Sequence, residues 1–157
     1  MNDHLLAKTI TISLVISEFN KPIIENLLNG ARDAFFNCGG NKNNLNVYRV
    51  PGAFEIPGTI KQILKYHKPN AIVALGAIIR GDTPHFDYVA SESAHGLSQL
   101  SLSSDIPIIN GILTTDNVMQ AKQRSEVKGN NKGWDSIFSA IKTIAIYREI
   151  SSVSSAG

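Results

Sequence analysis

The sequence of 157 residues has few features that would tie it to a membrane or to an oxidising compartment. Its one cysteine, Cys38, cannot form an intramolecular disulfide. No apolar run reaches the length of about 18 residues that suggests a membrane-spanning helix. The start of the chain also lacks the basic segment and apolar stretch of a secretory signal. These absences predict a cytoplasmic protein with no membrane partner.

The chain also has no large excess of positive or negative charge. The chain has 15 Lys and Arg residues against 13 Asp and Glu, which gives a net charge of +2, and the basic residues are scattered. Binding to nucleic acid through a basic face is therefore not expected. Neither GxGxxG nor GxxxxGKS/T occurs, which argues against a dinucleotide or nucleoside triphosphate site.

Short apolar runs and helical stripes alternate along the chain. The runs typical of strands are at 9–17, 45–50, 71–75 and 106–113. The helical stripes are at 20–38, 53–66, 84–102, around 118–119 and at 134–145. The alternation predicts a parallel sheet with helices on both faces and right-handed crossovers. No repeat or low-complexity linker interrupts it, so we expect one domain over 1–157, with 1–8 and 151–157 frayed.

In such sheets, ligands bind beyond the carboxyl ends of the strands. The segments that fall there are 18–20, 51–55, 77–85 and 110–115. In the third segment, Thr83 is predicted to cap a helix that has Pro84 at its first position. Free backbone N–H groups would then face the loop, as in many anion sites. Thr114, Thr115 and Asp116 are expected to cap the short helix that follows the last strand.

Several side chains near these segments have two interpretations each. His85, at a helix start, is a candidate neutral general base or a solvated surface histidine. Phe19 can stack on a flat heterocycle or cover the core. Glu55 can bind a ligand or simply favour the start of a helix. Arg124 and Lys132 can bind phosphate or remain solvated charges.

A metal site is not predicted. Asp82 and Asp87 lie near His85, but no second histidine follows at helical spacing and no cysteine is close. The expected chemistry at His85 is therefore proton transfer without a metal.

Five motifs carry a resemblance to a known family. They are Phe19-Asn20, VPGAFEIP at 50–57, LGAIIRGDTPHFDYV at 75–89, GILTT at 111–115 and NKG at 131–133. In this order and spacing they resemble the 6,7-dimethyl-8-ribityllumazine synthases, which act in the penultimate step of riboflavin biosynthesis. The resemblance covers nearly the whole chain.

The resemblance implies a flavodoxin-like three-layer α/β/α sandwich with a four-stranded parallel sheet. It implies condensation of 5-amino-6-(D-ribitylamino)uracil with 3,4-dihydroxy-2-butanone 4-phosphate. Phosphate and water would leave, and no cofactor would be needed.

The resemblance also implies a role for each residue at the site. Phe19 would stack on the pyrimidine ring, and Ala53 and Glu55 would hold the ribityl chain. Ile78 and Ile79 would meet the pyrimidine edge through their backbone.

The remaining implied roles concern phosphate and protons. Asp82 and Thr83 would receive the phosphate, with Arg124 closing on it. Lys132 would assist near the phosphate or the ring. His85 would move protons during imine formation and phosphate elimination.

The sequence departs from the family pattern at two positions. Glu18 stands where many relatives have Arg. Asn110 stands where many relatives have an aromatic residue that covers the pyrimidine from the neighbouring subunit. An amide would therefore replace one stacking face.

The resemblance implies a ring of five subunits with shared sites. One subunit would supply Asn110, Arg124 and Lys132, and the next would supply the residues around His85. We favour a free pentamer over the larger shell of some relatives, because SEVKG at 125–129 departs from their GTKAG-type turn. Riboflavin synthase is left open as a further partner.

Two other functions remain as alternatives. A non-catalytic flavin or lumazine carrier on the same fold would keep Phe19 and Glu55 without needing His85 or Arg124. A flavodoxin-type electron carrier is disfavoured, because the first strand is not followed by a Ser/Thr-rich phosphate loop.

Overall fold

The computed structural model describes residues 6–156. Four parallel strands form one sheet in the order β2-β1-β3-β4. They are β1 (Ile12–Ser17), β2 (Leu45–Val50), β3 (Ala71–Ile79) and β4 (Ile108–Thr115). Because all four strands are parallel, their carboxyl ends lie at the same edge of the sheet. The predicted four-stranded parallel sheet is confirmed.

Between β1 and the end of the described residues, five α-helices flank the sheet. They are α1 (Lys21–Asn37), α2 (Ile56–Tyr66), α3 (His85–Ser103), α4 (Val118–Gln123) and α5 (Lys132–Ala156). Two short 3-10 turns precede β2 and α2, at Lys42–Asn44 and Ala53–Glu55. The alternation of strands and helices gives the flavodoxin-like α/β architecture that the sequence predicted.

Alternate residues of the central strands serve opposite faces of the sheet. Leu14 and Val73 pack in a cluster with α1 and α5, and we name this side the α1–α5 face. Val15 and Ile72 pack in a second cluster with α2 and α3, which we name the α2–α3 face. Burial on both faces explains why β1 and β3 are almost entirely apolar.

Two glycines let α1 and the start of α5 approach closely. A Cβ atom on Gly30 would overlap the amide of Asn131. A Cβ atom on Gly133 would overlap the Leu27 carbonyl. The absence of a side chain at both positions is therefore part of how the α1–α5 face is closed.

The predicted strand ends were wrong at three places. β3 continues past Gly76 to Ile79, because residues 76–79 pair with β4 up to Thr115. Gly76 suits this position, since a Cβ atom there would crowd the Ser17 hydroxyl. β1 begins at Ile12 instead of residue 9, and β4 spans Ile108–Thr115 instead of 106–113.

Two predicted helix caps were also wrong. The N-cap of α3 is Pro84, whose ring can accept no hydrogen bond, so Thr83 lies one residue before the cap. The N-cap of α4 is Asn117, which accepts a hydrogen bond from the Gln120 N–H at 2.9 Å. The predicted segment 114–116 therefore ends one residue too early.

The structure describes part of the two ends, 1–8 and 151–157, that were predicted to be frayed. Leu6 and Ala7 are helical and buried in the core of the α1–α5 face. α5 continues to Ala156, and the Ser151 hydroxyl donates to the Tyr147 carbonyl at 2.6 Å. Residues 1–5 and Gly157 lie outside the described part of the chain.

Candidate functional site

A cavity of about 780 Å³ opens at the carboxyl edge of the sheet on the α2–α3 face. It is bounded by the loops that follow β1, β2 and β3 and by the first two turns of α3. Seven of the residues singled out in the sequence line it: Phe19, Ala53, Glu55, Ile78, Ile79, Thr83 and His85. Their convergence follows from the parallel sheet, which brings the strand ends together.

Phe19 projects from the loop after β1. Phe19 is 71% exposed, so the interpretation that it covers the core is excluded. The next residue, Asn20, has φ +64°, the only positive φ of a non-glycine residue in the described chain. The sharp turn at Asn20 starts α1 and leaves the Phe19 ring at the wall of the cavity.

The loop after β2 forms the opposite wall. Ala53 is buried, whereas the Glu55 side chain is exposed. The Glu55 N–H donates to the Gly52 carbonyl at 3.1 Å, and the Glu55 carbonyl accepts from the Thr59 hydroxyl at 2.8 Å. The backbone of Glu55 is thus fixed, and its carboxylate remains available to a ligand in the cavity.

The end of β3 supplies the floor of the cavity. Ile78 is 7% exposed and belongs to the core of the α2–α3 face. Ile79 is the last residue of β3 and pairs with Thr115 of β4. The two residues therefore present rigid strand backbone at the cavity.

Arg80 ties the loop after β3 to two neighbouring elements. Its N–H donates to the Thr115 carbonyl at 2.9 Å, and its Nε donates to Asp116 Oδ1 at 3.0 Å. The guanidinium carbon lies 4.4 Å from the centre of the Phe86 ring. A longer ion pair of 3.6 Å joins Arg80 to Asp87. Arg80 thus holds the first turn of α3 against the end of β4.

His85 is the first residue of α3 and is exposed to the cavity. The predicted position, one or two residues inside the helix, was close to this. Helical spacing places Tyr88 and Glu92 on the same face as His85, and both line the cavity. This spacing is visible in the sequence, and reasoning from the sequence missed the two residues.

Phe54 was missed for a different reason. It lies between Ala53 and Glu55 in the 3-10 turn, lines the cavity and is 62% exposed. Phenylalanine is usually a core residue, so its residue type did not suggest a position at a cavity, although Phe54 falls on the face opposite the stripe of Ile56, Ile60 and Ile63.

The other four predicted residues do not line this cavity: Asp82, Asn110, Arg124 and Lys132. Asn110 is exposed on β4, opposite Ala74 on the α2–α3 face. Its Oδ1 accepts from the Ile112 N–H at 3.0 Å. Asp82 is exposed in the loop before α3.

Arg124 and Lys132 lie side by side at the base of one loop. We name residues 124–132 the cation loop. The Lys132 N–H donates to the Arg124 carbonyl at 2.9 Å, and Ser125 and Asn131 form an antiparallel bridge just above. Within residues 6–156 neither cation forms an ion pair. Two neighbouring cations without a carboxylate partner are suited to an anion such as phosphate.

A second cavity, of about 490 Å³, lies between α1 and the cation loop. Its wall includes Asp33, Phe36, Lys128 and Trp134. It contains none of the site residues predicted from the sequence.

Residues 6–156 contain no group of three or more His, Cys, Asp or Glu side chains placed to hold a metal ion. None of the helices in that range has the length and apolar character to cross a membrane.

Comparison with known proteins adds to the geometry. A family model described as 6,7-dimethyl-8-ribityllumazine synthase matches residues 9–148. A 6,7-dimethyl-8-ribityllumazine synthase of Nautilia profundicola is 44% identical over 88% of this chain and 90% of its own. Proteins of the same name from Chlorobium luteolum and Chlorobium phaeovibrioides are 45% and 46% identical, over 93% and 90% of this chain and 94% and 92% of their own.

Among solved structures, a de novo designed Rossmann fold protein is 18% identical, with a TM-score of 0.42. The match covers 72% of this chain and 91% of that one. A score this low supports no conclusion about fold or function.

Proposed function

The chain belongs to the 6,7-dimethyl-8-ribityllumazine synthase family, and from this premise we propose how its site carries out the reaction. The protein is a transferase of riboflavin biosynthesis with small-molecule substrates. It condenses 5-amino-6-(D-ribitylamino)uracil with 3,4-dihydroxy-2-butanone 4-phosphate, and phosphate and water leave. The observation that carries the site proposal is the convergence of seven predicted residues on one cavity.

The pyrimidine substrate occupies the cavity. Its ring stacks on Phe19, whose face is exposed at the cavity wall. Its polar edge meets backbone groups of Ile78 and Ile79, which β3 holds rigid. The ribityl hydroxyls donate to the Glu55 carboxylate, beside the small side chain of Ala53.

His85 moves the protons. The attacking amine must lose a proton, the carbinolamine hydroxyl must gain one to leave as water, and phosphate elimination requires removal of a proton from carbon. A single imidazole can serve all three steps, because it can both accept and donate a proton. Its exposed position at the cavity wall lets it reach both substrates.

Proximity supplies much of the remaining acceleration. Holding two reactants in the right orientation contributes roughly 7–11 kcal/mol in the best intramolecular cases. Few catalytic side chains are therefore needed, and we expect turnover without an added metal ion.

The phosphate of the second substrate binds near Asp82 and Thr83 at the start of α3. Arg124 and Lys132 complete this subsite from a neighbouring subunit, because both lie outside the cavity lining of their own chain. Asn110 approaches the pyrimidine from the same neighbour. Exposed apolar side chains around the cavity, such as Phe54 and Tyr88, support cover by a second copy.

We propose that the subunits form a closed ring of five in the cytoplasm. A head-to-tail contact of this kind is heterologous and closes by rotation. Each subunit would be a single domain of residues 1–157, because both core clusters share one sheet. Riboflavin synthase, which would use the product, is a proposed further partner.

Turnover of the two purified substrates tests the function. We expect lumazine formation, and we expect it to persist after EDTA treatment. Binding of the pyrimidine without turnover would instead indicate a carrier on the same fold. Loss of activity that a divalent ion restores would contradict the metal-free part.

Mixed rings test the shared site. His85→Ala and Arg124→Ala chains are refolded together in equal amounts with different tags, and activity is measured at a butanone phosphate concentration so low that each variant alone is only weakly active. Random assembly leaves roughly a quarter of the interfaces with both residues intact, so activity should return to about that fraction. Co-purifying tags with no recovered activity would place both residues in the same subunit's site and overturn the proposal.

A further inference from the structure

Among the described residues, Asn131 is the only side-chain amide in the buried class, with 3% of its surface exposed. Its Nδ2 donates to the Asn26 carbonyl at 3.0 Å and to the Glu126 carbonyl at 3.1 Å. Its Oδ1 accepts from the Trp134 N–H at 3.0 Å. The opposite orientation of the amide would set its oxygen against two carbonyls, so only this orientation satisfies all three partners.

The three hydrogen bonds join three elements. Asn26 belongs to α1, Glu126 to the cation loop and Trp134 to the first turn of α5. Gly30 makes room for the amide, because a Cβ atom on Gly30 would overlap it. Asn131 thus braces the cation loop against α1, in addition to capping α5.

The brace acts next to the two cations. Asn131 immediately precedes Lys132 and forms the antiparallel bridge with Ser125, which immediately follows Arg124. The Ser125 hydroxyl donates to the Ala121 carbonyl at 2.8 Å, and Ser125 is 1% exposed. The base of the loop is therefore buried and fixed, whereas Arg124 and Lys132 themselves are exposed.

We propose that Asn131 is a positioning residue that holds Arg124 and Lys132 side by side for the phosphate of the butanone substrate. This inference rests on the proposed function, since it acts through the assigned phosphate subsite. Two long cationic side chains lose rotamer freedom when they bind one anion. A fixed backbone at their bases reduces the freedom that must still be lost, which lowers the KM for the phosphorylated substrate.

Asn131→Ser removes the two hydrogen bonds to the Asn26 and Glu126 carbonyls but keeps an N-cap for α5. Serine is a good N-cap and can still accept from the Trp134 N–H, but its short hydroxyl cannot reach both carbonyls. We expect the KM for the butanone phosphate and the inhibition constant of inorganic phosphate to rise about tenfold. The KM for the pyrimidine and kcat should stay within about threefold, because the cavity around Phe19 is untouched.

Gly30→Ala is the second variant. It displaces the amide without changing Asn131 or either cation, and alanine is favoured over glycine in a helix interior by about 1 kcal/mol. The substitution by itself should therefore favour α1. A rise in the KM for the butanone phosphate and in the inhibition constant of inorganic phosphate could then not be attributed to a weaker helix. It also keeps the test decisive if Asn131→Ser folds poorly.

Asn70→Ala is the matched control. Asn70 Oδ1 accepts from the Thr11 N–H at 2.8 Å, between the segments that enter β3 and β1 at the opposite edge of the sheet. Its loss should change stability but leave the ratio of the two KM values as in the wild type. An equal rise of both KM values in Asn131→Ser, or no rise in either, would overturn the inference.

Failure of the proposed function would look different. If the wild type did not turn over the substrates, the function itself would be wrong. If the wild type were active and Arg124→Ala left the KM for the butanone phosphate unchanged, the phosphate assignment would be wrong. If Arg124→Ala raised that KM but neither Asn131→Ser nor Gly30→Ala did, only the positioning role would be wrong.

Discussion

The hydrophobic cores on the two faces of the sheet differ in size. Among the described residues, the core of the α1–α5 face contains 24 buried residues, and the core of the α2–α3 face contains 11. On the second face, Phe19, Phe54 and Tyr88 remain 62–71% exposed around the cavity. Exposed aromatic surface beside a cavity marks a place for ligands or partners. The closed face therefore contains the larger part of the core, and the open face contains the candidate site.

Substitutions on the two faces should differ most in how far they lower the free energy of unfolding. Leu27 is fully buried on the α1–α5 face, so Leu27→Ala should lower the free energy of unfolding by about 3 kcal/mol, since both apolar contact and packing are lost. Tyr66→Ala, at the exposed end of α2 and away from the cavity, should lower it by less than about 0.5 kcal/mol. Urea unfolding of both variants at one protein concentration measures the contrast. The reverse order would contradict the division between the faces.

The next effect is on catalysis. His85→Ala should lower kcat by about tenfold to a few hundredfold, because one general acid and base is lost while substrate proximity remains. The free energy of unfolding should barely change, since His85 is exposed. Steady-state kinetics and urea unfolding give both quantities.

His95→Ala is the control for the His85 experiment. His95 is an exposed histidine on the same helix, α3, and it does not line the cavity. A similar fall of kcat in both variants would indicate damage to α3 and would argue against a proton-transfer role for His85.

The smallest effect concerns an ion pair at the rim of the α1–α5 face. Arg49 of β2 donates to the Glu25 carboxylate of α1 at 2.7 Å, and this hydrogen bond lowers the pKa of Glu25 below its ordinary value of 4.5. Both side chains are more than a third exposed, so Glu25→Gln should cost less than about 1 kcal/mol at pH 7.

The same ion pair predicts a pH dependence. A lowered pKa in the folded protein stabilises the fold above the ordinary pKa, and the stabilisation is lost as the pH falls through the folded value. The difference in unfolding free energy between wild type and Glu25→Gln should therefore begin to shrink as the pH falls below 4.5, and it should vanish once the pH is below the lowered pKa of Glu25 in the folded protein. A difference that persisted at still lower pH would show that the pair does not act through charge.

Much of the fold could be predicted because the signals are local. Each buried strand is an apolar run, and each helix shows an apolar stripe. The predictions were wrong where the local structure depends on residues that are far apart in the sequence. In the sequence, Gly76 resembles the end of a strand. In the structure β3 continues through Gly76, because its pairing with β4 continues and the Ser17 hydroxyl occupies the space that a side chain at position 76 would need. Leu6 is buried by contacts that a polar, patternless start of the chain did not indicate.

The candidate site could be predicted in part for the same reason. Residues such as Phe19, Glu55 and His85 follow strand ends, and a parallel sheet brings strand ends together. The closeness of the Arg124 and Lys132 backbones was not predicted, because it comes from the Ser125–Asn131 bridge and from the Lys132 N–H, which donates to the Arg124 carbonyl across a loop without a regular pattern. Phe54 was missed because phenylalanine is usually a core residue, although helical spacing places it opposite the apolar stripe of α2.

The packing of α5 against α1 also has a consequence for how the protein is made. Leu27 and its neighbours on α1 leave the ribosome early, but the α5 residues that cover them, such as Ile141, follow only about 100 residues later, or roughly 5–20 seconds at usual rates of synthesis. During that interval the apolar stripe of α1 has no cover from α5. The nascent chain is therefore the species most exposed to aggregation, and a chaperone that binds apolar helices would act on α1 first.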